Sequence, residues 1–332
     1  MRSPRKSVVL GLTLLSAMLA TALGWFWLTY GAYGLNVVLR RAGSYWRTVG
    51  PDDPHLSPAM RTALRNPVPA ASPGPLVWRE VERGYEVGEL PVLADGREVD
   101  RILLSRIDPA YFRFTARNAA DGDRGLDEWE KALPASVLIV NGSYFGLKGS
   151  PDTPFVSNGV VLGPTRYDAR AGAFVATAET ATVEDLSHQS WKAALAGAQN
   201  AMVSYPMLIG DDGKSHVASH SRWLANRTFV GEQPDGRIVI GTTREVFFSL
   251  DRFADFLRRS PLNLRVALNF DGGPIACQSV RLRGFTRRFY ARWEAQVSGD
   301  KVRLLSWPRA SAAWAMPVVL TVERRPRVKP NP

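Results

Sequence analysis

Charged side chains are absent from Ser7 to Leu39, and apolar residues run nearly unbroken from Val8 to Tyr30. As a helix these 23 residues span roughly 35 Å, enough to cross a hydrocarbon core of about 30 Å. Arg2, Arg5 and Lys6 precede the run, and Trp25, Trp27 and Tyr30 crowd its far end. That is the pattern of a basic cytoplasmic tip (1–7), a transmembrane helix (8–30) and an interfacial aromatic belt. Ala20-Thr21-Ala22 resembles a signal-peptide cleavage site, yet the apolar run continues through Trp25-Phe26-Trp27-Leu28. The reading is therefore an uncleaved signal anchor, with everything beyond about residue 40 on the outer side of the membrane.

Downstream the periodicity changes. Residues 31–75 carry Gly31, Gly34, Gly43 and then seven prolines from Pro51 to Pro75, which reads as a stalk. Within it, Ser57–Arg65 predicts a short helix with Ser57 as N-cap and Pro58 at the first position. From Leu76 onward, β-type alternation predicts strands over Leu76–Val81, Gly84–Leu93, Val99–Ile107, Ser136–Val140, Phe155–Leu162, Ala173–Ala178 and Ala201–Ile209. Further strands are expected at Arg227–Gly231, Arg237–Thr242, Leu264–Phe270, Val302–Ser306 and Val318–Val322. Gly125–Leu133 reads as a helix, and Ser249–Arg258 as a stronger one, with Leu250, Phe253, Ala254 and Leu257 on one face. Strands outnumber helices and do not alternate with them. The expectation is an α+β fold: one mixed, strand-rich globular domain over 76–323 with a few packed helices, then a basic tail at 324–332.

Forty-two Lys and Arg against 31 Asp and Glu leave a formal charge of +11, spread along the chain mostly as arginine. This suits anionic surfaces or substrates. No zinc-finger, helix-turn-helix or RNP signature accompanies it, so nucleic acid is not an expected partner. Cys277 is the single cysteine, which excludes an intrachain disulfide, and its apolar neighbours mark it as a packed small residue. His216 and His220 have a spacing that suits zinc on a helix, but Val217-Ala218-Ser219 between them lacks the glutamate of a metalloprotease motif. Solvated or locally bonded histidines are expected there. No Walker or Rossmann fingerprint occurs, and neither a cofactor nor a metal is implied.

Three segments share one design, a β-like run that ends in polar groups and glycine. They are Val137 to Phe145 (ending Asn141-Gly142-Ser143-Tyr144-Phe145), Asn226 to Gly231 with Pro234-Asp235-Gly236 beyond it, and Ala267 to Gly273 (ending Asn269-Phe270-Asp271-Gly272-Gly273). A carboxylate and a carboxamide at a strand end sit where a rigid sheet meets solvent, and the glycines let the backbone turn without crowding a ligand. Asp capping its own turn is the bland alternative.

NGSYFG, ANRTFVGEQPDGRIVI and ALNFDGG, in this order and spacing, resemble the phosphodiester glycosidase domain family, as do Ser204–Ile209 and Arg106–Pro109. The resemblance covers roughly residues 99–281 and implies cleavage between a sugar anomeric carbon and a phosphodiester oxygen. Carried over by position, Asn141, Gly142, Tyr144, Phe145, Arg227, Thr228, Asn269, Asp271, Gly272 and Gly273 would line the site. Ser143 stands where the family has glycine, and Pro274-Ile275-Ala276 where it commonly has Gly-Ser-x. A phosphate monoester leaving group has a second pKa of about 6 and departs without full protonation. Such a site needs a fixed cation more than a strong acid. Arg227 is then the phosphoryl ligand, helped by Thr228 or Asn141, and Asp271 either activates water or stabilises oxocarbenium charge. Glu232 is a candidate second carboxylate, competing with a role as a solvated turn residue. Together these imply a membrane-anchored hydrolase on the periplasmic side of a bacterial inner membrane, acting on a phosphate-bearing glycan of the envelope. The competing reading is a catalytically silent glycan-binding or scaffold module of exopolysaccharide assembly.

Overall fold

The computed structural model describes residues 4–39, 46–54, 56–119, 122, 124–168, 171–218, 223–291, 294–298, 301–305 and 314–326. His55, His220, the tip residues 1–3 and the tail residues 327–332 lie outside them. The N-terminal helix runs Pro4–Leu39, and its Val8–Thr29 portion is long and apolar enough to span a bilayer, with none of it buried against the body.

The α+β expectation holds. Its central layer is an eight-stranded antiparallel sheet in which Arg97–Ile107 lies between Tyr85–Ala94 and Ile238–Thr243, followed outward by Thr228–Glu232, Val266–Asn269 and Met207–Ile209. Because side chains alternate across a strand, Leu103 and Ile107 enter one core while Ile102 and Leu104 enter another. The central strand is thus covered on both faces, which is why its apolar run is nearly continuous. Against one face pack two five-stranded sheets, ordered Phe285–Tyr290, Cys277–Leu282, Ser136–Asn141, Val318–Arg324, Phe112–Asn118, and Ala181–Asp185, Gly172–Ala176, Asn200–Ser204, Phe155–Ser157, Val160–Leu162. Against the other pack the Pro58–Ala63 and Leu250–Arg259 helices and a four-stranded sheet of Trp46–Val49, Lys301–Leu305, Glu294–Ser298 and Trp223–Ala225.

The Leu250–Arg259 helix buries Phe253, Ala254, Phe256 and Leu257. Phe253 meets Phe229 and Phe248 at ring-centroid distances of 5.9 and 5.2 Å. Phe253→Ala is expected to destabilise the fold by about 3–5 kcal/mol, read from denaturant unfolding, because the rigid aromatic cluster cannot close over the void.

Residues 46–54 and 56–75, part of the segment expected from the sequence to form a stalk, lie against the body. Trp46–Val49 pairs with Lys301–Leu305, Ser72–Pro73 pairs with Val92 and Leu93, and Leu56, Ala59, Met60 and Ala63 are buried. Ser57 caps the short helix by accepting from Met60 N at 3.2 Å. The prolines are tolerated because Pro58 starts a helix, Pro73 lies on a sheet edge and the others fall in turns and irregular segments, where no ladder donor is needed. Phe155–Leu162 is a hairpin rather than one strand, turning at Asn158-Gly159 with φ of 48° and 80°. Ala201–Ile209 is likewise split by a cis Tyr205-Pro206 bond.

Candidate active site

The three polar strand ends converge. Asn141 ends the Ser136–Asn141 strand of one sheet, while Asn269 ends a strand of the central sheet, paired in register with Phe229. Past that pair, Phe270 N–H donates to Thr228 O at 2.9 Å and Gly273 N–H to Asn226 O at 2.9 Å, so the second and third motifs run antiparallel to each other. Asp271 N–H donates to Gly142 O at 3.0 Å, which ties in the first.

Asn141, fully buried, is the knot. Its Nδ2 donates to the Asp271 carbonyl at 2.6 Å, and its Oδ1 accepts from Thr228 Oγ1 at 2.8 Å and from Cys277 N–H at 3.2 Å. A buried amide with both ends satisfied fixes register at little net cost, whereas losing one partner strands the rest.

In front of this knot opens a pocket of about 810 Å³. Asp271, Arg227, Tyr144, Phe145, Gly272 and Gly273 line it. Asn141, Gly142, Thr228 and Asn269 stand behind, holding the floor in place. Asp271 is partly exposed, and its Oδ1 accepts from Gly272 N–H at 2.8 Å, which orients the carboxylate. Arg227 is almost wholly buried, with Nη2 donating to Trp223 O at 2.7 Å and Nε directed at Phe248 O at 3.4 Å. Burial is the main influence on its guanidinium and lowers its pKa, while the Tyr144 hydroxyl and the Glu294, Asp251 and Asp271 carboxylates act the other way. An arginine stays cationic under that balance, so the pocket keeps a fixed, preoriented positive group.

Tyr144 stacks on Tyr205 with ring centroids 4.3 Å apart, donates to Tyr205 O at 3.0 Å and accepts from Asn269 Nδ2 at 2.9 Å. Burial, reinforced by the Asp271 carboxylate, raises the Tyr144 hydroxyl above the ordinary phenol range, so it remains protonated as a wall of the site.

Tyr205, Asp152, Trp223, Leu250, Glu294, Gln296 and Arg303 were not expected in the site from the sequence; with Gly146, Leu147 and Ala225 they complete the lining. Tyr205 carries one local signal, the proline after it, and Arg303 lies in the expected Val302–Ser306 strand; Glu294 and Gln296, on a neighbouring strand of the four-stranded sheet, carry none. Glu232 lies outside the pocket, with its carboxylate accepting from Val183 N–H at 2.8 Å and paired to Arg265 at 3.1 Å. Ser143 is buried and its Oγ accepts from Thr153 Oγ1 at 3.3 Å. Pro274 and Ile275 turn inward in a short 3-10 helix, and Ile275 packs beside Trp129 and Leu305. Both departures from the family pattern therefore face the core and leave the pocket surface alone.

His216 sits in a polar surface cluster, 3.4 Å from Asp212 and from Ser187. Among the described residues no group of three His, Cys, Asp or Glu side chains is placed to hold a metal ion. Cys277 is buried and its thiol is pushed up to about 12 by desolvation. It is expected to resist alkylation near neutral pH until the protein is unfolded, a contrast that thiol titration with and without denaturant would read directly.

Residues 135–283 match the phosphodiester glycosidase family. The matched stretch begins just before the strand that ends in Asn141 and includes all three polar strand ends. No curated protein matches the chain. Among solved structures, the chain is similar to the catalytic domain of zebrafish N-acetylglucosamine-1-phosphodiester alpha-N-acetylglucosaminidase, auto-inhibited by its pro-peptide, at 13% identity over 85% of this chain and 89% of that one, with a TM-score of 0.47. It is also similar to a hypothetical protein from Synechocystis, at 11% identity over 70% and 64% of the two chains with a TM-score of 0.44. A third similar chain is from Burkholderia pseudomallei K96243, described as exported, at 11% identity over 68% and 74% with a TM-score of 0.40.

Proposed function

We propose that this protein is a membrane-tethered hydrolase that cleaves a glycosyl phosphodiester, releasing a free sugar and a phosphate monoester. The observation that carries the reading is the meeting of Arg227 and Asp271 in one pocket, within the stretch that matches the glycosidase family. Arg227 receives the phosphoryl oxygens and takes up the charge that grows on the leaving phosphate. Asp271, oriented by Gly272 N–H, faces the anomeric carbon and stabilises its developing positive charge. Tyr144, Tyr205, Trp223 and Phe145 supply aromatic walls against which a sugar ring packs.

The tether is the Val8–Thr29 span, and the basic residues before it favour a cytoplasmic N-terminus with the body on the periplasmic side. The wall of the pocket is itself tied to this end of the chain, since Trp46–Val49 belongs to the same sheet as Glu294 and Trp223. A phosphate-bearing envelope glycan is the substrate class that fits this placement and the basic surface.

The test is sugar release from a glycosyl-1-phosphodiester by the full-length protein in detergent. Turnover supports the reading. Binding of the phosphoglycan without turnover would instead support a silent scaffold module. Arg227→Lys is expected to raise KM by about tenfold or more, because an ammonium cannot hold the two backbone carbonyls and a phosphate with one planar fork.

A further inference from the structure

The Asp271 side of the pocket has a carboxylate facing it from another sheet. Glu294 begins the Glu294–Ser298 strand, which is joined to Trp223–Ala225 and Lys301–Leu305 and lies outside the stretch that matches the family. Its side chain lines the pocket and reaches the turn just after Asp271: a Cβ placed on Gly273 would stand 3.0 Å from Glu294 Oε2. Gly273 therefore serves two purposes. Its φ of +73° suits glycine alone, and its bare Cα leaves room for that carboxylate. Glu294 also acts electrostatically on Arg227, so the carboxylate and the phosphoryl ligand share one field.

We propose that Glu294 is the general base of this site. The role rests on the glycosyl phosphodiester reading above. In the step, the oxygen of a water molecule bonds to the anomeric carbon. The bond from that carbon to the phosphate oxygen breaks, and its electron pair leaves on the phosphate. The proton lost by the water passes to the Glu294 carboxylate, and the extra negative charge on the phosphate monoester settles against Arg227. Asp271 stays ionised opposite the reacting carbon. Two carboxylates with distinct tasks are what glycoside hydrolysis ordinarily requires, and the second one is supplied here by a wall that the linear motifs do not include.

The experiment compares wild type, Glu294→Gln, Glu294→Ala and Asp152→Asn, all full-length in detergent, on a glycosyl-1-phosphodiester, with thermal unfolding recorded for each. Glu294→Gln is expected to lower kcat by about 10²–10⁴-fold while KM changes little. Sodium formate is expected to restore part of the Glu294→Ala rate, since a small carboxylate can occupy the vacated space and accept the proton; a merely structural side chain would show no such rescue. Wild-type turnover with Glu294→Gln within threefold of it would overturn the assignment and leave the hydrolase reading standing. The assignment is equally overturned if Asp152→Asn is the variant that loses kcat while Glu294→Gln keeps it, or if formate leaves a folded Glu294→Ala inactive. Absence of wild-type turnover would overturn both readings together.

Discussion

Asp271→Asn is expected to lower kcat by at least about 10²–10³-fold while leaving the fold intact. The separation between these two effects is built into the geometry. Asp271 engages its neighbours through backbone N–H to Gly142, backbone C=O from Asn141, and Oδ1 from Gly272 N–H. An asparagine keeps all three, because its own Oδ1 can still accept. What disappears is the negative charge in the pocket, and with it the stabilisation of a positively charged anomeric carbon. Cooperative thermal unfolding with at most a modest fall in midpoint, since Glu294 and Asp251 still offset the burial of Arg227, together with lost turnover, is the expected pair of observations. Equal turnover by the two proteins would remove Asp271 from the chemistry.

The opposite balance is expected behind the pocket. Asn141→Leu should destabilise the protein by about 2–5 kcal/mol, because it leaves buried partners without hydrogen bonds. The Asp271 carbonyl loses its donor and Cys277 N–H its acceptor, while Thr228 Oγ1 retains only the Thr242 hydroxyl at 3.2 Å. Native proteins are stable by only about 5–15 kcal/mol, so a shift of this size is a large fraction of the total. Activity should fall as well, since the carbonyl that Asn141 holds belongs to the carboxylate-bearing residue. Chemical denaturation followed by tryptophan fluorescence would measure the first effect and residual turnover the second. An unchanged unfolding midpoint would show that the three strand ends are held together by something other than this amide.

The strand ends at Asn141 and Asp271 were legible in the sequence because each combines two local signals, a β-type apolar run and an abrupt Asn-Gly or Asp-Gly, whereas Arg227 stands just before the start of the Thr228–Glu232 strand, away from the Asp235-Gly236 turn. Local signals also placed the Leu250–Arg259 helix, whose apolar face follows the helical period. Of the far wall, only the strand that carries Arg303 gave such a sign, in the Val302–Ser306 run. Glu294, Gln296 and Arg303 sit on strands whose partners are Trp223–Ala225 and, from the other end of the chain, Trp46–Val49. Pairing over such separations depends on the finished fold and leaves no periodic trace. Residues 46–75 resemble a stalk for the same reason: prolines signal loops locally, yet Leu56 and Met60 find a core that only the assembled sheets create. Which of the motif residues face the cavity was also invisible, since Asn141 and Asp271 read alike as polar groups at strand ends. Only packing separates the buried knot from the open floor.

Which bond is cut distinguishes glycosyl transfer from phosphoryl transfer. Hydrolysis of a glycosyl-1-phosphodiester in water enriched in oxygen-18, followed by mass analysis of both products, answers that directly. Cleavage at the anomeric carbon places the heavy oxygen in the released sugar and none in the phosphate monoester, which is the predicted result. Heavy oxygen in the phosphate would mean attack at phosphorus and would contradict the assignment of Asp271 and Arg227 to glycosyl transfer to water.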